Sequence, residues 1–149
     1  MSIASIALAR ILRIGGGASK DLPDVLAALG LARPLIVTDA YLVSSGRVAT
    51  LIDGLAAAGI AARVFADTVP DPTVASVDAG VAYLIDGDHD CVVGFGGGSP
   101  LDSAKAIALL GRFGGAMADY KAPHVQDAPG LPVIAIPTTA GTGSEATRF

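Results

Sequence analysis

The residues whose types and spacing most suggest chemistry lie in the stretch CVVGFGGGSPLDSAKAIALL, residues 91–110. Three consecutive glycines, at 96–98, separate an apolar run from a helical pattern, and a backbone without Cβ atoms can approach a ligand closely. The helix behind them adds a partial positive charge at its N-terminus, which favours a phosphate group. The spacing therefore predicts that the backbone N–H groups of Gly96-Gly97-Gly98-Ser99 hold a phosphate.

The same residues have a second interpretation, in which they only begin a helix. Ser99-Pro100-Leu101-Asp102 fits a capping box with proline at the first helical position, so that Ser99 and Asp102 would satisfy unpaired N–H groups. Three glycines are more than a cap requires, which favours the phosphate. The stretch does not follow the G-x-G-x-x-G pattern of a Rossmann first loop, because Leu101 stands where the third glycine belongs.

Asp39 directly follows the apolar run LIVT and could bind the sugar of a nucleotide. A carboxylate at the end of a buried strand can accept hydrogen bonds from both ribose hydroxyls of an adenosine. The alternative, a helix cap or a loop carboxylate, fits the sequence equally well. Asp39 has no basic residue near it in the sequence, which disfavours a 2′-phosphate, so the pattern favours NAD over NADP.

A hydroxyl-rich loop, TTAGTGSE at residues 138–145, follows the last apolar run. Its hydroxyl groups could bond to ribose, pyrophosphate or base edges. Thr142 and Glu145 also fit a capping box, and that interpretation accounts for two of the residues. It leaves Thr138 and Thr139 unexplained, so both remain candidates for binding a ligand.

Other residues of reactive type have simpler interpretations. Asp71, followed by Pro72, predicts the start of a helix with proline at its first position. Cys91 begins an apolar run and predicts a packed thiol rather than a nucleophile. His89 and His124 lie in polar loops without partners at metal-ligand spacing, and a metal site needs three or four convergent ligands. We therefore expect no metal at either histidine.

The elements that must position these residues alternate between helix and strand. Turn residues and hydrophobic periodicity predict helices over 19–30, 44–58, 71–86 and from Ser99, and strands over 34–38, 61–66, 91–95 and 132–137. This alternation predicts an α/β fold with a Rossmann-like parallel sheet flanked by helices. Ligands bind beyond the carboxyl ends of such strands. One edge of the sheet should therefore carry Asp39, residues 67–71, residues 96–102 and residues 138–145.

Composition narrows the class of protein further. The chain has 149 residues, enough for one domain, and 52% of them are hydrophobic, yet no apolar stretch approaches the length of a membrane span. A net charge of −4 without any cluster of Lys or Arg argues against nucleic acid as a partner. A single cysteine excludes an internal disulfide and suits a reducing compartment, so we expect a cytoplasmic protein.

The two ends of the chain carry weaker signals. Residues 1–14, MSIASIALARILRI, loosely resemble an organelle presequence, but a terminal strand or strand pair of the fold is the favoured interpretation. At the other end, TTAGTGSEATRF completes neither a helix nor a strand. We therefore expect residues 1–149 to be one dinucleotide-binding domain from a longer protein.

Four stretches together resemble the N-terminal half of the iron-containing alcohol dehydrogenases. They are VTD (37–39), VPDPT (69–73), GFGGGSPLDSAKAIAL (94–109) and IPTTAGTGSEAT (136–147), in the order in which the family has them. The resemblance implies an N-terminal α/β nucleotide-binding domain and a helical C-terminal domain. It also implies hydride transfer between NAD(P) and a primary alcohol or aldehyde, with a divalent metal, often iron, polarising the substrate oxygen.

The resemblance implies a role for each matching residue. Asp39 would bind the adenosine ribose and Asp71 the adenine end, although the family commonly has Asn at the position of Asp71, which alters the hydrogen-bond pattern there. The other matching residues are Gly97, Gly98 and Ser99 at the pyrophosphate, Asp102 near the nicotinamide ribose and amide, and Thr138, Thr139 and Thr142 across the dinucleotide. The family's metal ligands, one Asp and several His, would come after residue 149.

These implications lead to one principal expectation and two alternatives. We expect the nucleotide-binding half of an NAD-dependent alcohol dehydrogenase that holds Fe²⁺ or another divalent metal outside residues 1–149 and works as a homo-oligomer such as a dimer. No residue of this segment is then catalytic or a metal ligand, so it should bind dinucleotide without oxidising alcohols. The alternatives are a stand-alone nucleotide-binding module without catalysis, and a relative of glycerol dehydrogenase or maleylacetate reductase.

Overall fold

A computed structural model describes residues 9–121 and 128–147 of the chain. Its strands are β1 (Pro34–Val37), β2 (Arg63–Phe65), β3 (Cys91–Gly96) and β4 (Val133–Pro137). Its α-helices are α1 (Leu22–Leu29), α2 (Ala40–Ser44), α3 (Arg47–Ala57), α4 (Val74–Asp86) and α5 (Gly98–Phe113), with single 3-10 turns at Ala18–Asp21 and Met117–Tyr120. The predicted alternation of helix and strand is confirmed.

The four strands lie parallel in one sheet, in the order β2-β1-β3-β4. The connection from β1 leads outward to β2 on one side, and the connection from β3 leads outward to β4 on the other. The strand order therefore reverses between β1 and β3, which leaves a crevice at their carboxyl ends. This arrangement confirms the expected Rossmann-like parallel sheet.

Helices cover both faces of the sheet, because the strands are apolar on both sides. Leu35 and Val92 pack in a core with α4 and α5, whereas Ile36 and Val93 pack in a second core with α1, α2 and α3. Two apolar cores within one domain account for the high hydrophobic content. In the part of the chain that the structure describes, no helix has the length and apolar character needed to cross a membrane.

Close packing of α5 on β3 sets the position of the glycine-rich turn. A Cβ on Gly94 would stand 2.9 Å from the Ala104 Cβ, so no side chain fits there. Gly96 has φ +154°, and a Cβ on it would stand 2.6 Å from Pro100 Cγ. Because both glycines let the helix approach the strand, the N-terminus of α5 lies directly at the carboxyl end of β3.

The predicted start of α5 is wrong. The helix begins at Gly98 with Gly97 as its N-cap, and no side chain caps it. Ser99 and Asp102 therefore do not form a capping box, and Pro100 is the third helical residue instead of the first. Proline is tolerated there because the N–H it lacks would have no helical acceptor in the first turn.

The predicted start of α4 is also wrong. Thr73, not Asp71, is the N-cap: its Oγ1 accepts a hydrogen bond from the Ser76 N–H at 3.2 Å, and Ser76 Oγ accepts one from the Thr73 N–H at 3.2 Å. Asp71 instead adopts a left-handed backbone with φ +51°. Aspartate tolerates this region better than most residues, because its short side chain can hydrogen-bond locally.

Two further predictions concern the first third of the chain. The helix expected over 44–58 begins at Arg47, because Gly46, with φ +77°, separates it from α2. Of the terminal strand expected within residues 1–14, residues 9–14 form neither helix nor strand. Residues 1–8 lie outside the described residues.

Candidate functional site

An open cavity of about 650 Å³ lies at the carboxyl ends of β1 and β3, where the strand order reverses. Its volume is in the range of small-molecule and cofactor pockets. Six of the nine residues predicted from the sequence line it, namely Asp39, Gly97, Gly98, Ser99, Thr138 and Thr139. Asp71, Asp102 and Thr142 do not line it. The cavity therefore lies at the predicted edge of the sheet, and the cofactor-binding role of these nine residues stays a prediction.

The glycine-rich turn leaves two backbone donors free at the N-terminus of α5. Gly97 has no side chain with which to cap the helix. The N–H groups of Gly98 and Ser99 donate to no acceptor within the described residues, and Pro100 has no N–H. Two free donors at the positive end of a 16-residue helix suit a phosphate group.

Asp39 caps α2 with one carboxylate oxygen and leaves the other free. Its Oδ1 accepts a hydrogen bond from the Leu42 N–H at 2.8 Å, so the helix-cap alternative is correct for that oxygen. Its Oδ2 has no hydrogen-bond partner among the described residues, and the side chain is half-buried at the cavity wall. A carboxylate has two oxygens, so capping the helix and accepting from a ligand are compatible.

A buried hydrogen bond holds the loop after β2 against the end of β1. Thr68 Oγ1 donates to the Thr38 carbonyl oxygen at 2.7 Å, and the Thr38 N–H donates to the Phe65 carbonyl oxygen at 2.9 Å. Thr68 and Val69 thereby form the cavity wall next to Asp39. Thr68 belongs to the segment 67–71 that was predicted at this edge, although no sequence signal singles it out.

The loop after β4 closes the other side of the cavity. The Thr138 N–H donates to the Gly96 carbonyl oxygen at 2.8 Å, which continues the pairing of β4 with β3 beyond the strand. Thr139 then lies across the glycine turn, because a Cβ on Gly97 would stand 3.4 Å from Thr139 Oγ1. Both threonines therefore face the same cavity as the free donors of α5.

Asp102 lies one turn into α5 and makes contacts within the protein. Ser144 Oγ donates to Asp102 Oδ2 at 3.3 Å, and Lys105 Nζ lies 3.5 Å from Asp102 Oδ1. Lys105 Nζ also donates to Thr147 Oγ1 at 2.7 Å. Asp102 and Lys105 thus tie the loop after β4 to α5.

Thr142 lies beside the turn and outside the cavity. A Cβ on Gly98 would stand 3.5 Å from Thr142 Cγ2, and Thr142 Oγ1 accepts a hydrogen bond from the Ser144 N–H at 3.4 Å. The predicted capping box of Thr142 and Glu145 is not formed, because residues 144–146 make a turn instead of a helix. Thr142 therefore shapes the loop over Gly98.

Arg47 lines the same cavity as Asp39, although eight positions separate them in the sequence. The left-handed Gly46 ends the short helix α2 and sets Arg47 as the first residue of α3. Arg47 lies inside the helix predicted over 44–58, but no sequence signal indicates that this part of the helix reaches the cavity of Asp39.

The other residues of reactive type lie away from the cavity. Cys91 is fully buried, and its burial, with the neighbouring carboxylate of Asp90, raises the pKa of the thiol, so the predicted packed thiol is confirmed. His89 lies at the opposite end of the sheet, with Nδ1 3.1 Å from the Arg33 carbonyl oxygen. Within residues 9–121 and 128–147, no three His, Cys, Asp or Glu side chains come together as metal ligands would. His124 lies outside these ranges.

The parallel sheet, the crevice where its strand order reverses, and the glycine-rich turn that opens a helix define a Rossmann-like α/β domain. Comparison with known families is more specific. The chain belongs to the iron-containing alcohol dehydrogenases, because the model of that family matches residues 9–149. The resemblance found in the sequence motifs is confirmed.

Individual relatives agree with this assignment. The chain is 39% identical to long-chain-alcohol dehydrogenase 1 of Geobacillus thermodenitrificans, over 100% of this chain and 38% of that protein. It is 41% identical to the NAD-dependent methanol dehydrogenase of Bacillus methanolicus, over 91% of this chain and 36% of that protein. The chain thus spans less than two fifths of the length of either relative.

A solved structure of high similarity contains a dinucleotide. The crystal structure of sulfoacetaldehyde reductase from Bifidobacterium kashiwanohense in complex with NAD⁺ superposes with a TM-score of 0.86 at 36% identity. The superposition covers 99% of this chain and 39% of that one. Residues 9–121 and 128–147 therefore have the fold of one part of that larger protein.

Proposed function

We propose that this chain is the dinucleotide-binding part of an NAD-dependent, iron-type alcohol dehydrogenase that interconverts primary alcohols and aldehydes by hydride transfer. The observation that carries the proposal is the cavity at the sheet edge, where free N–H donors and a free carboxylate oxygen face one space. The relatives support it, since one is named an NAD-dependent dehydrogenase and another structure holds NAD⁺.

Different residues of the cavity bind different parts of the dinucleotide. The N–H groups of Gly98 and Ser99 receive the pyrophosphate, whose charge the α5 N-terminus stabilises. Asp39 Oδ2 accepts from the adenosine ribose on the β1–β2 side. Thr138 and Thr139 contact the nicotinamide half on the β4 side. All of these groups bind and orient the cofactor, and none of them transfers a proton.

The three predicted residues outside the cavity take supporting roles in this proposal. Asp102 positions the loop after β4 through Ser144, and its half-exposed carboxylate can also accept from the nicotinamide ribose or amide. Thr142 packs over Gly98. Asp71 lies next to Pro70, which lines the cavity. This neighbourhood supports the proposed role of Asp71 at the adenine end.

The described residues do not fit a divalent metal, because no three ligating side chains converge. We therefore assign none of the described residues to the metal and derive no step from it. A divalent metal of the whole protein would act as a Lewis acid on the substrate oxygen, held by residues beyond 149.

The proposal also covers the substrate, the oligomeric state and the cellular location of the protein. Its substrate is a small alcohol or aldehyde, its assembly a homo-oligomer such as a dimer, and its location the cytoplasm. The single cysteine, fully buried as a thiol, supports a reducing compartment.

A binding and turnover experiment tests the proposal. The chain contains no tryptophan, so the fluorescence of NADH can be followed in a titration without protein background from that residue. We expect saturable binding of one NADH per chain. We also expect no reduction of NAD⁺ by a panel of primary alcohols and glycerol, with or without added Fe²⁺. Failure to bind NADH, or metal-dependent turnover by residues 1–149, would contradict the proposal.

A further inference from the structure

The cavity contains a charge that the proposed NAD site does not use. Among the described residues that line it, the charged ones are Asp39 and Arg47. Arg47 is exposed, and no carboxylate of the described residues lies within ion-pair distance of its guanidinium. A guanidinium with five donors and no partner is suited to bind a phosphate group.

The position of Arg47 in the cavity indicates which phosphate group of a dinucleotide it can bind. Arg47 belongs to the α2–α3 connection between β1 and β2, so it lies on the side of the crevice that carries Asp39, Thr68 and Val69. The pyrophosphate has its donors on the other side of Asp39, at the turn after β3. Beyond the ribose bound by Asp39, a phosphate group occurs only on the 2′-oxygen of NADP.

We infer that Arg47 is a specificity-determining residue that admits the 2′-phosphate of NADP. This inference rests on the proposed dinucleotide site. Asp39 repels the 2′-phosphate and favours the free ribose hydroxyls of NAD, whereas Arg47 attracts the same phosphate and reduces that discrimination. The chain therefore binds both dinucleotides, with NAD preferred.

The test compares NADH and NADPH affinities of the full chain and its variants by fluorescence titration. Arg47→Gln removes the charge at the cavity, and Arg112→Gln removes the same charge from an exposed site near the end of α5, about 20 Å away along the helix. We expect Arg47→Gln to weaken NADPH binding roughly fivefold to tenfold and NADH binding less than about twofold. Arg112→Gln should change neither.

The same pair of variants is then combined with Asp39→Asn, which removes the repelling charge. NADPH binding should strengthen in Asp39→Asn, and adding Arg47→Gln should remove that gain. Equal effects of Arg47→Gln on both dinucleotides, or no effect in either background, would overturn the role of Arg47 while leaving NAD binding intact. Failure of the unmodified chain to bind NADH would contradict this inference together with the proposed function.

Discussion

Each end of the sheet carries an aspartate, and the two aspartates differ in how many of their carboxylate oxygens accept hydrogen bonds from the protein. At the amino end, Asp90 precedes β3 and uses both oxygens: Oδ1 accepts from the Arg33 N–H and Oδ2 from the Ala32 N–H, each at 2.9 Å. At the carboxyl end, Asp39 follows β1 and uses only Oδ1, on the Leu42 N–H. Asp90 therefore joins two segments of the fold, whereas Asp39 keeps an acceptor for something outside it.

The backbone donors differ in the same way. The N–H groups that meet Asp90 are paired within the protein, whereas those of Gly98 and Ser99 have no protein acceptor among the described residues. Proteins pair nearly all of their buried polar groups, so unpaired groups that converge on an open cavity are available to a ligand. Unpaired polar groups therefore distinguish the carboxyl end of this sheet from the amino end better than residue type does.

Ser99→Asp should have the largest effect on this contrast. A carboxylate at the second position of α5 would stabilise the helix dipole by about 0.3–1 kcal/mol while repelling the pyrophosphate across a few ångströms. We expect NADH affinity to fall by about 100-fold or more, with the melting temperature unchanged or raised. Ser99→Ala is the control and should bind NADH nearly as the unmodified chain does. Retained NADH affinity in Ser99→Asp would remove the phosphate from this turn.

Gly96→Ala tests whether the fold at the carboxyl end depends on an absent side chain. The new Cβ would stand 2.6 Å from Pro100 Cγ at a backbone φ of +154°, so the free energy of unfolding should fall by about 2–3 kcal/mol. Gly15→Ala has a comparable backbone, φ +146°, with no atom within 4 Å of its Cβ, and should lose only about 1 kcal/mol. Equal losses in chemical denaturation would show that the contact with Pro100 is unimportant.

Asp39→Asn separates the two oxygens of that carboxylate. Asparagine caps helices about as well as aspartate, so α2 should be retained, but the ribose loses a charged acceptor. We expect NADH affinity to fall roughly fivefold to tenfold, with little change in thermal stability. Asp39→Ala should lower both. An unchanged NADH affinity in Asp39→Asn would restrict this residue to its capping role.

Asp90→Ala should have the smallest effect of these variants, a loss of unfolding free energy that depends on pH. Burial alone would raise the pKa of Asp90, but hydrogen bonds from Ala32, Arg33 and Cys91, with the charge of Arg33, lower the pKa below its usual value. A carboxyl group with a lowered pKa stabilises the fold above its unfolded pKa, about 3.9, and this stabilisation is lost as pH falls through the folded value. The variant should lose about 1 kcal/mol at neutral pH.

Denaturation of both proteins as a function of pH checks this prediction. The difference in unfolding free energy between the unmodified chain and Asp90→Ala should shrink as pH falls below about 4. NADH affinity at neutral pH should stay unchanged, because Asp90 lies at the amino end of the sheet. If the difference in unfolding free energy instead grew as the pH fell, the carboxylate of Asp90 would not be the form that stabilises the fold.

Much of the fold could be predicted from the sequence, because alternating apolar runs and turn residues specify a parallel α/β sheet and its ligand edge. The exact helix starts could not, since both Asp71-Pro72 and Ser99-Pro100 fit a cap locally. In the structure α5 begins at Gly98, two residues before Pro100, and its N-cap is Gly97, which has no side chain. Arg47 was missed because its proximity to the Asp39 cavity arises from the turn at Gly46, not from sequence distance.

The central claim is that dinucleotide binding engages the free donors at the carboxyl end of the sheet. Amide NMR spectra of the full chain, recorded during titration with NAD⁺, test it most directly. We expect large shifts for the Gly98 and Ser99 amides and little change for the Ala32 and Arg33 amides, which already donate to Asp90. Binding of NAD⁺ that leaves Gly98 and Ser99 unmoved would contradict it.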